Sequence, residues 1–540
     1  MTEPTAVTFF SEPLYVAAIL TAPVVMLASA FVPTRVALAR GRHYADLIQR
    51  FSFVAFAGAF LATAQLVVSG PITFRLAPFL PAGYFDALSA MMLLLVSFLG
   101  VIVTRYSCRY LDGNPEQGRF AKWLSITLGT VLALIVSGHL LIFTIAWIST
   151  SVSLHQLLTF FRDRPSAILA AKKKFVISRL GDACLIGALA TTWYCFGTWE
   201  FSALFQVIDG LRSHGAVLPP CLGWASLFLV GGALLKSAQF PFHSWLPDTM
   251  ETPTPVSALM HAGLINAGGF LVIRLSPVIA SAPGALNALA LVGAITALYG
   301  SIVMLTQTSV KRSLAYSTIA QMGFMMLQCG LGAFALAALH LVAHALYKAY
   351  AFLSSGSIVS LTRAAWRPTE RVSAHPAVLV ATLGSAVALT WGIGSLFGLS
   401  LANEPEVMLL SAIFLMGVSF LLWNLWSASQ EVALIGLGLL LIIATSTAYF
   451  TLHAGFEELL SGSLTHYAPV RTGLEYGVMA FIALLFLAVL VMQAQIPAWS
   501  QSAPGQKIYL YASNGFYIGT WANRLMQKKR RGHSRAPSIT

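Results

Sequence analysis

The sequence predicts an all-α polytopic membrane protein of about 15 transmembrane helices, with inverted five-helix repeats and two broken helices. Two observations carry the all-helical membrane class. The 540 residues are 57% hydrophobic and only 9% charged, where a soluble domain carries roughly 25% charged residues. Apolar runs of about 18 to 22 residues recur along the whole length, and they are continuous rather than alternating. Continuity excludes a closed β-barrel and leaves helices as the way to satisfy the backbone in lipid.

The runs lie near 13–33, 51–69, 84–105, 120–136, 139–161, 175–196, 223–243, 255–275, 285–306, 312–331, 335–361, 376–398, 406–426, 431–452 and 474–492. The expected organisation is N-terminal helices over 1–119, a first repeat over 120–275, a second over 276–426, C-terminal helices over 427–492 and a basic, aromatic tail over 493–540. Two interruptions suggest the repeats: a break at Pro241, and the glycines of "LTWGIGSLFGLS" at 389–400. Broken helices in corresponding places suggest a site near mid-membrane.

The net charge of +13 is a matter of topology, not of nucleic-acid binding. With the N-terminus outside, 26 lysines and arginines fall on the inner side and four, Arg75, Arg212, Arg274 and Arg471, on the outer side. That asymmetry follows the positive-inside rule and places the tail in the cytoplasm. The five cysteines show no metal-binding spacing and read as small buried apolar residues. The first residues lack the charged region of a cleaved signal peptide.

The segment "LLKSAQFPFHSWLPDTMETPTPVSALMHAGLINAGGF", 234–270, holds the unusual chemistry. A charged group in mid-bilayer costs about 2.5–3.5 kcal/mol on insertion scales, so Lys236 needs a reason to be there, and a lysine so placed can accept and release a proton. Pro241, Pro247, Pro253 and Pro255 remove backbone donors and break the helix, freeing carbonyls to line a cavity. Asp248 and Glu251 sit at the cytoplasmic end of this break, and ordinary loop solvation explains them as well as ion pairing does. His261 precedes a flexible Gly268–Gly269 pair and can shuttle a proton near neutral pH.

In "ALHLVAHALYKAYAF", His340, His344 and Lys348 recur every four residues and form one stripe on a helix. Three titratable groups so spaced read as a relay through water. Arg179 and Asp182, three apart, read as a local ion pair, and Asp86 at the start of a helix is similar. Lys311 stands at a cytoplasmic helix start, placed either by topology or to load the relay. Phosphate loops, dinucleotide fingerprints and catalytic triads are missing from the sequence, so neither catalytic nor metal-ligating residues are assigned and the chain reads as a transporter subunit rather than an enzyme.

"KSAQFPFHSWLPDTMETPTPVSALMHAG", "VKRSLAYSTIAQMGFM", "LHLVAHALYKAYAFLSSGS", "FVISRLGDACLI" and the tail piece "NGFYI" resemble the antiporter-like membrane subunits of respiratory complex I (NuoL type) and of Mrp cation/proton antiporters. The resemblance implies inverted five-helix repeats and a central polar axis that passes protons. It places the channel lysine at Lys236, the following histidine at His261, and the relay at His340, His344, Lys348 and Lys311.

There are departures. The family's Trp-Glu pair reads Trp147-Ile148 here, so Lys236 lacks its usual counter-ion, and "WGIGSLFGLS" lacks the lysine of the second broken helix. The NuoL type also adds a long lateral helix, whereas this chain ends in a basic tail. These departures are similar to the DabB family, membrane subunits of bacterial inorganic-carbon accumulating systems. That resemblance implies a heterodimer in the bacterial inner membrane with a cytoplasmic, zinc-containing, carbonic-anhydrase-like DabA partner. The present chain then supplies the ion pathway that powers CO2 or bicarbonate uptake, carries no cofactor itself, and uses its tail for docking. The alternatives are a proton-pumping or antiporter subunit of complex I or Mrp type, and a non-conducting scaffold, which the complete histidine–lysine stripe opposes.

Overall fold

The computed structural model describes residues 12–356, 376–400, 403–429, 432–464, 471–499 and 502–528. Eleven helices among them are long and apolar enough to cross a membrane, and three shorter apolar helices accompany them. The chain is a multi-pass helical membrane protein, and the helix order is compatible with fifteen crossings. Arg363, Arg367, Arg371, Lys529, Arg530, Arg531 and Arg535, all counted toward the inner charge, lie outside the described residues.

The first helices are α1 (Glu12–Leu27), the short α2 (Thr34–Ala39), α3 (Gly41–Ser69) and α4 (Ala87–Tyr110). A small antiparallel hairpin, β1 (Ile72–Phe74) with β2 (Gly83–Phe85), joins α3 to α4. Asp86 starts α4 by accepting the Ser89 amide at 2.9 Å, which satisfies one of the free donors of a helix start.

The next unit is α5 (Gln117–Ile135), α6 (Leu140–Leu158), α7 (Pro165–Phe196), the surface helix α8 (Phe201–Ser213) and α9 (Cys221–Lys236). After α9 the chain runs through a short irregular stretch to α10 (Trp245–Asp248), then α11 (Thr254–Ala262), α12 (Ala267–Arg274) and α13 (Ser276–Ile279). It continues with α14 (Pro283–Met304), α15 (Val310–Gly330) and α16 (Phe334–Leu353). The last helices are α17 (Pro376–Leu396), α18 (Pro405–Ser429), α19 (Val432–Leu460), α20 (Gly473–Trp499), α21 (Ala503–Ser513) and α22 (Ile518–Lys528).

The core is densest around α11 and α12, whose membrane-length segment is entirely buried. α14 and α15 lie backbone to backbone. A methyl group at Gly300 would come within 2.6 Å of the Ala320 nitrogen, and one at Gly293 within 2.5 Å of the Leu327 nitrogen. Small residues at such seams substitute close packing for the hydrophobic drive that lipid does not provide.

Several sequence expectations are corrected. α7 begins at Pro165, so Lys173 and Lys174 are buried side chains of a helix rather than part of a polar connection. The break expected at 389–400 is a helix end: α17 runs unbroken through Gly392 and Gly394, and Gly398 turns the chain with φ +78°. The second mid-helix interruption lies instead at 263–266, between α11 and α12. Gly268 and Gly269 are not a flexible pair. They are packing positions within α12, where a side chain at Gly268 would overlap Ser237 and Ala233, and one at Gly269 would overlap Met325.

Cys195 and Cys221 form a disulfide that joins the end of α7 to the start of α9; they are not isolated buried thiols. The four arginines counted as outer loop charges are all engaged. Arg75 pairs with Glu200 at 2.5 Å, Arg274 with Asp86 at 2.6 Å, and Arg471 with Glu406, while Arg212 donates to the Ala280 carbonyl at 3.1 Å.

Candidate functional site

Lys236 is the last residue of α9, at the lip of the break rather than at mid-helix. Its Nζ donates to Ser151 Oγ of α6 at 2.9 Å and lies 4.3 Å from the centre of the Trp147 ring. Ser151 and Trp147 are one turn apart, so α6 presents a hydroxyl and an aromatic face to the same ammonium. The Ser151 carbonyl accepts a second bond, 3.1 Å long, from buried Lys174 of α7. One residue of α6 thus holds two lysines.

The counter-charge comes from α7. Asp182 pairs with Arg179 at 2.7 Å, the local pair read from the sequence, and its charge also reaches Lys236 and Lys174. Lys236 therefore has a carboxylate neighbour, although Ile148 replaces the expected glutamate. The Trp147 side chain also lies within hydrogen-bonding reach of Asp182. The cluster holds three basic groups, Arg179, Lys236 and Lys174, around one carboxylate.

Asp248 and Glu251 are ion-paired across elements. Asp248 meets Lys173 of α7 at 2.5 Å, and Glu251 meets Arg164 at 3.6 Å. The first of these ties α10 to α7 just beyond the break. The Lys173 side chain is almost fully buried, so it is a buried positive charge met by a carboxylate.

A second cluster is built on α11, α15 and α16. Lys348 donates to Ser317 Oγ at 2.7 Å and to the Leu314 carbonyl at 3.2 Å. Thr318 donates to the same carbonyl at 3.0 Å, and His261 Nδ1 lies 3.0 Å from the Thr318 hydroxyl. His261 also stacks on Phe352, with ring centres 4.3 Å apart. Along α16, His340 and His344 have ring centres 6.2 Å apart, and His340 Nδ1 bonds Gln328 at 2.8 Å. Both ring nitrogens of His344 and Nε2 of His261 are buried with no partner among the described residues. Lys311 stands apart, at the start of α15, where it donates to Thr254 at 3.1 Å.

Of the sequence-predicted residues, Lys236, Arg179 and Asp182 form one cluster and His261, His340, His344 and Lys348 another, while Asp248, Glu251 and Lys311 lie outside both. Regular helix is interrupted at 237–244, directly after Lys236, and at 263–266, two residues after His261. Ser237 there donates to the Ile265 carbonyl at 2.8 Å, so the two breaks touch. Gln239 Oε1 and Asn266 Oδ1 are buried at these breaks without a partner among the described residues. Buried polar atoms left in this way are where ordered water is expected.

Sequence reasoning missed Ser151, Lys173, Lys174, Ser317, Thr318 and Gln328. Only the two lysines carried a signal, as charges close to an apolar run. The tail was legible in part. Its "NGFYI" stretch folds back on the chain, with Tyr299 donating to the Gly515 carbonyl at 2.9 Å and Gln307 to the Ser513 carbonyl at 3.2 Å. Tyr509 and Trp521 remain exposed.

Comparison with known proteins identifies the family. Residues 137–422 match the family model described as NADH:quinone oxidoreductase/Mrp antiporter, transmembrane, and residues 81–121 match that of the N-terminus of complex I chain 5. The chain is 38% identical to the probable inorganic carbon transporter subunit DabB2 of Halothiobacillus neapolitanus, covering 94% of this chain and 93% of that one. It is 37% identical to the probable inorganic carbon transporter subunit DabB of Hydrogenovibrio crunogenus over 81% of both. The fold is also that of a chain in the Mrp complex of Dietzia sp. DQ12-45-1b, with TM-score 0.63 and 22% identity, covering 97% of this chain and 60% of that one. The chain therefore belongs to the NADH:quinone oxidoreductase/Mrp antiporter transmembrane family, in the branch of the DabB inorganic carbon transporter subunits.

Proposed function

We propose that this chain is the proton-conducting membrane subunit that powers inorganic carbon uptake, together with a zinc-containing, carbonic-anhydrase-like partner on the cytoplasmic side. The observation that carries the reading is the pair of buried titratable clusters, Lys236 with Asp182 and His261 with His340, His344 and Lys348, placed beside two touching helix breaks.

Protons enter from outside and reach the α16 stripe. The histidines pass them to Lys348, whose acceptors on α15 connect through Thr318 to His261. Water held by Gln239 and Asn266 carries the transfer across the breaks to Lys236. Lys236 takes up a proton near Asp182 and gives it up toward the basic end of the bundle, where the Lys173–Asp248 pair and Lys311 lie. Passage biases the partner's hydration site. The carbon chemistry and the zinc that serves it belong to that partner, and this chain carries no cofactor for it.

The proposed orientation puts the N-terminus outside the bacterial inner membrane and the tail in the cytoplasm. The Cys195–Cys221 bond supports it, because it lies at the end away from the basic connections, and disulfides persist in an oxidising compartment. The exposed aromatic residues of α21 and α22 supply the docking strip.

The test is carbon-dependent growth. Lys236→Ala and His340→Ala each abolish rescue of a strain lacking its own carbon uptake, while membrane levels of the chain stay normal. Full rescue by both variants contradicts the reading.

A further inference from the structure

The sequence expectation assigned no metal to this chain, yet one group outside both clusters has the chemistry of a ligand set. Glu404 precedes α18, and His453 and Glu457 stand one turn apart on α19. One ligand atom from each lies within 4.8 Å of the others. All three sit at the end of the bundle that carries the Cys195–Cys221 bond, away from the basic connections.

His453 is the second, independent observation. It is 5% exposed, and neither ring nitrogen has a hydrogen-bond partner among the described residues. Its Nε2 is aimed between the carboxylates, 3.5 Å from Glu404 and 3.7 Å from Glu457. These separations are long for hydrogen bonds. They match the edge of a tetrahedron, roughly 3.4 Å, that metal–ligand bonds of about 2.1 Å generate around zinc.

Charge agrees with geometry. Two carboxylates face one histidine, and Arg471 is paired with Glu406. Among the described residues, the ion pairs that reach Glu404 and Glu457 come from His453 alone. The two glutamate side chains are 32% and 59% exposed, so an ion has a way in and solvent can fill the remaining position.

We propose that Glu404, His453 and Glu457 bind a divalent transition cation of the zinc type at the outer end of the bundle. An imidazole with two carboxylates selects a borderline cation over calcium or magnesium, which take oxygen ligands. Bound there, the ion ties the segment before α18 to α19. The inference is independent of the ion pathway, which uses other residues on other helices.

The test is metal binding by the purified full-length chain in detergent. Zinc is measured by elemental analysis after equilibrium dialysis, and Co2+ absorption in the visible range serves as the probe of geometry. The wild type should retain one zinc more per chain than His453→Ala, and should give a tetrahedral Co2+ spectrum that zinc abolishes. Glu457→Gln, at an exposed position, should weaken binding at least about tenfold. Should the complex purify with a zinc-bearing partner, the difference between wild type and variant is the readout. Equal zinc content and identical Co2+ spectra in wild type, His453→Ala and Glu457→Gln would overturn the proposal.

Discussion

Two buried carboxylates in this molecule meet arginine in opposite ways. Asp86 is closed. Its two oxygens accept from Arg274 at 2.6 and 2.8 Å and from the Ser89 amide at 2.9 Å, and Arg274 also donates to the Ser89 hydroxyl at 2.6 Å. Asp182 is open. Arg179 meets it at 2.7 Å from a partly exposed position, and two further basic groups share the same charge. A buried pair with its hydrogen bonds made is fixed in one charge state and acts as a clamp. A buried carboxylate shared among competing cations can change its partner at small cost. Under the proposed function, the difference separates a structural ion pair from a member of the ion pathway.

The comparison breaks most visibly at the clamp. Asp86→Ala leaves Arg274 buried and unpaired, which should remove about 3–5 kcal/mol of stability. Thermal unfolding in detergent and membrane abundance measure it. A variant with wild-type stability would mean that Asp86 is no clamp. Asp182→Asn should do the reverse. Arg179 is partly exposed and the two lysines can release a proton, so abundance should change little. Carbon uptake should fall at least about tenfold, or about 1.4 kcal/mol in the barrier.

Ser151→Ala sharpens the same contrast on a smaller scale. It removes one acceptor of Lys236, worth about 1 kcal/mol, so uptake should fall roughly fivefold at unchanged abundance. Ser317→Ala should have the smallest effect, about twofold, because Lys348 retains the Leu314 carbonyl. An order in which Ser317→Ala exceeds Asp182→Asn would move the limiting step to the α16 stripe.

The legible part of the site was local. His340, His344 and Lys348 announce themselves because four-residue spacing on a helix is visible in one line of sequence. Lys236 does so because a charge in an apolar run needs a reason. What was not legible depends on contacts between distant segments. Asp182 and Lys236 stand on neighbouring helices, so the pair Arg179–Asp182 looked complete by itself. Glu404 and His453 are far apart in the chain, and each alone reads as a solvated loop or a packed histidine. Cys195 and Cys221 flank α8, whose excursion brings the ends of α7 and α9 together. The glycines at 392 and 394 carry no information about which side of them a helix ends, and Gly268 looks like a hinge until the neighbouring α9 is in place.

The central claim is that the under-satisfied buried clusters form one hydrated conduit. Proton flux into proteoliposomes bearing the purified complex, driven by an imposed pH gradient and read with an internal pH dye, tests it most directly. The account predicts that Lys236→Ala and His340→Ala each lower the flux at least about tenfold relative to wild type. Flux at the wild-type rate in both variants would contradict it.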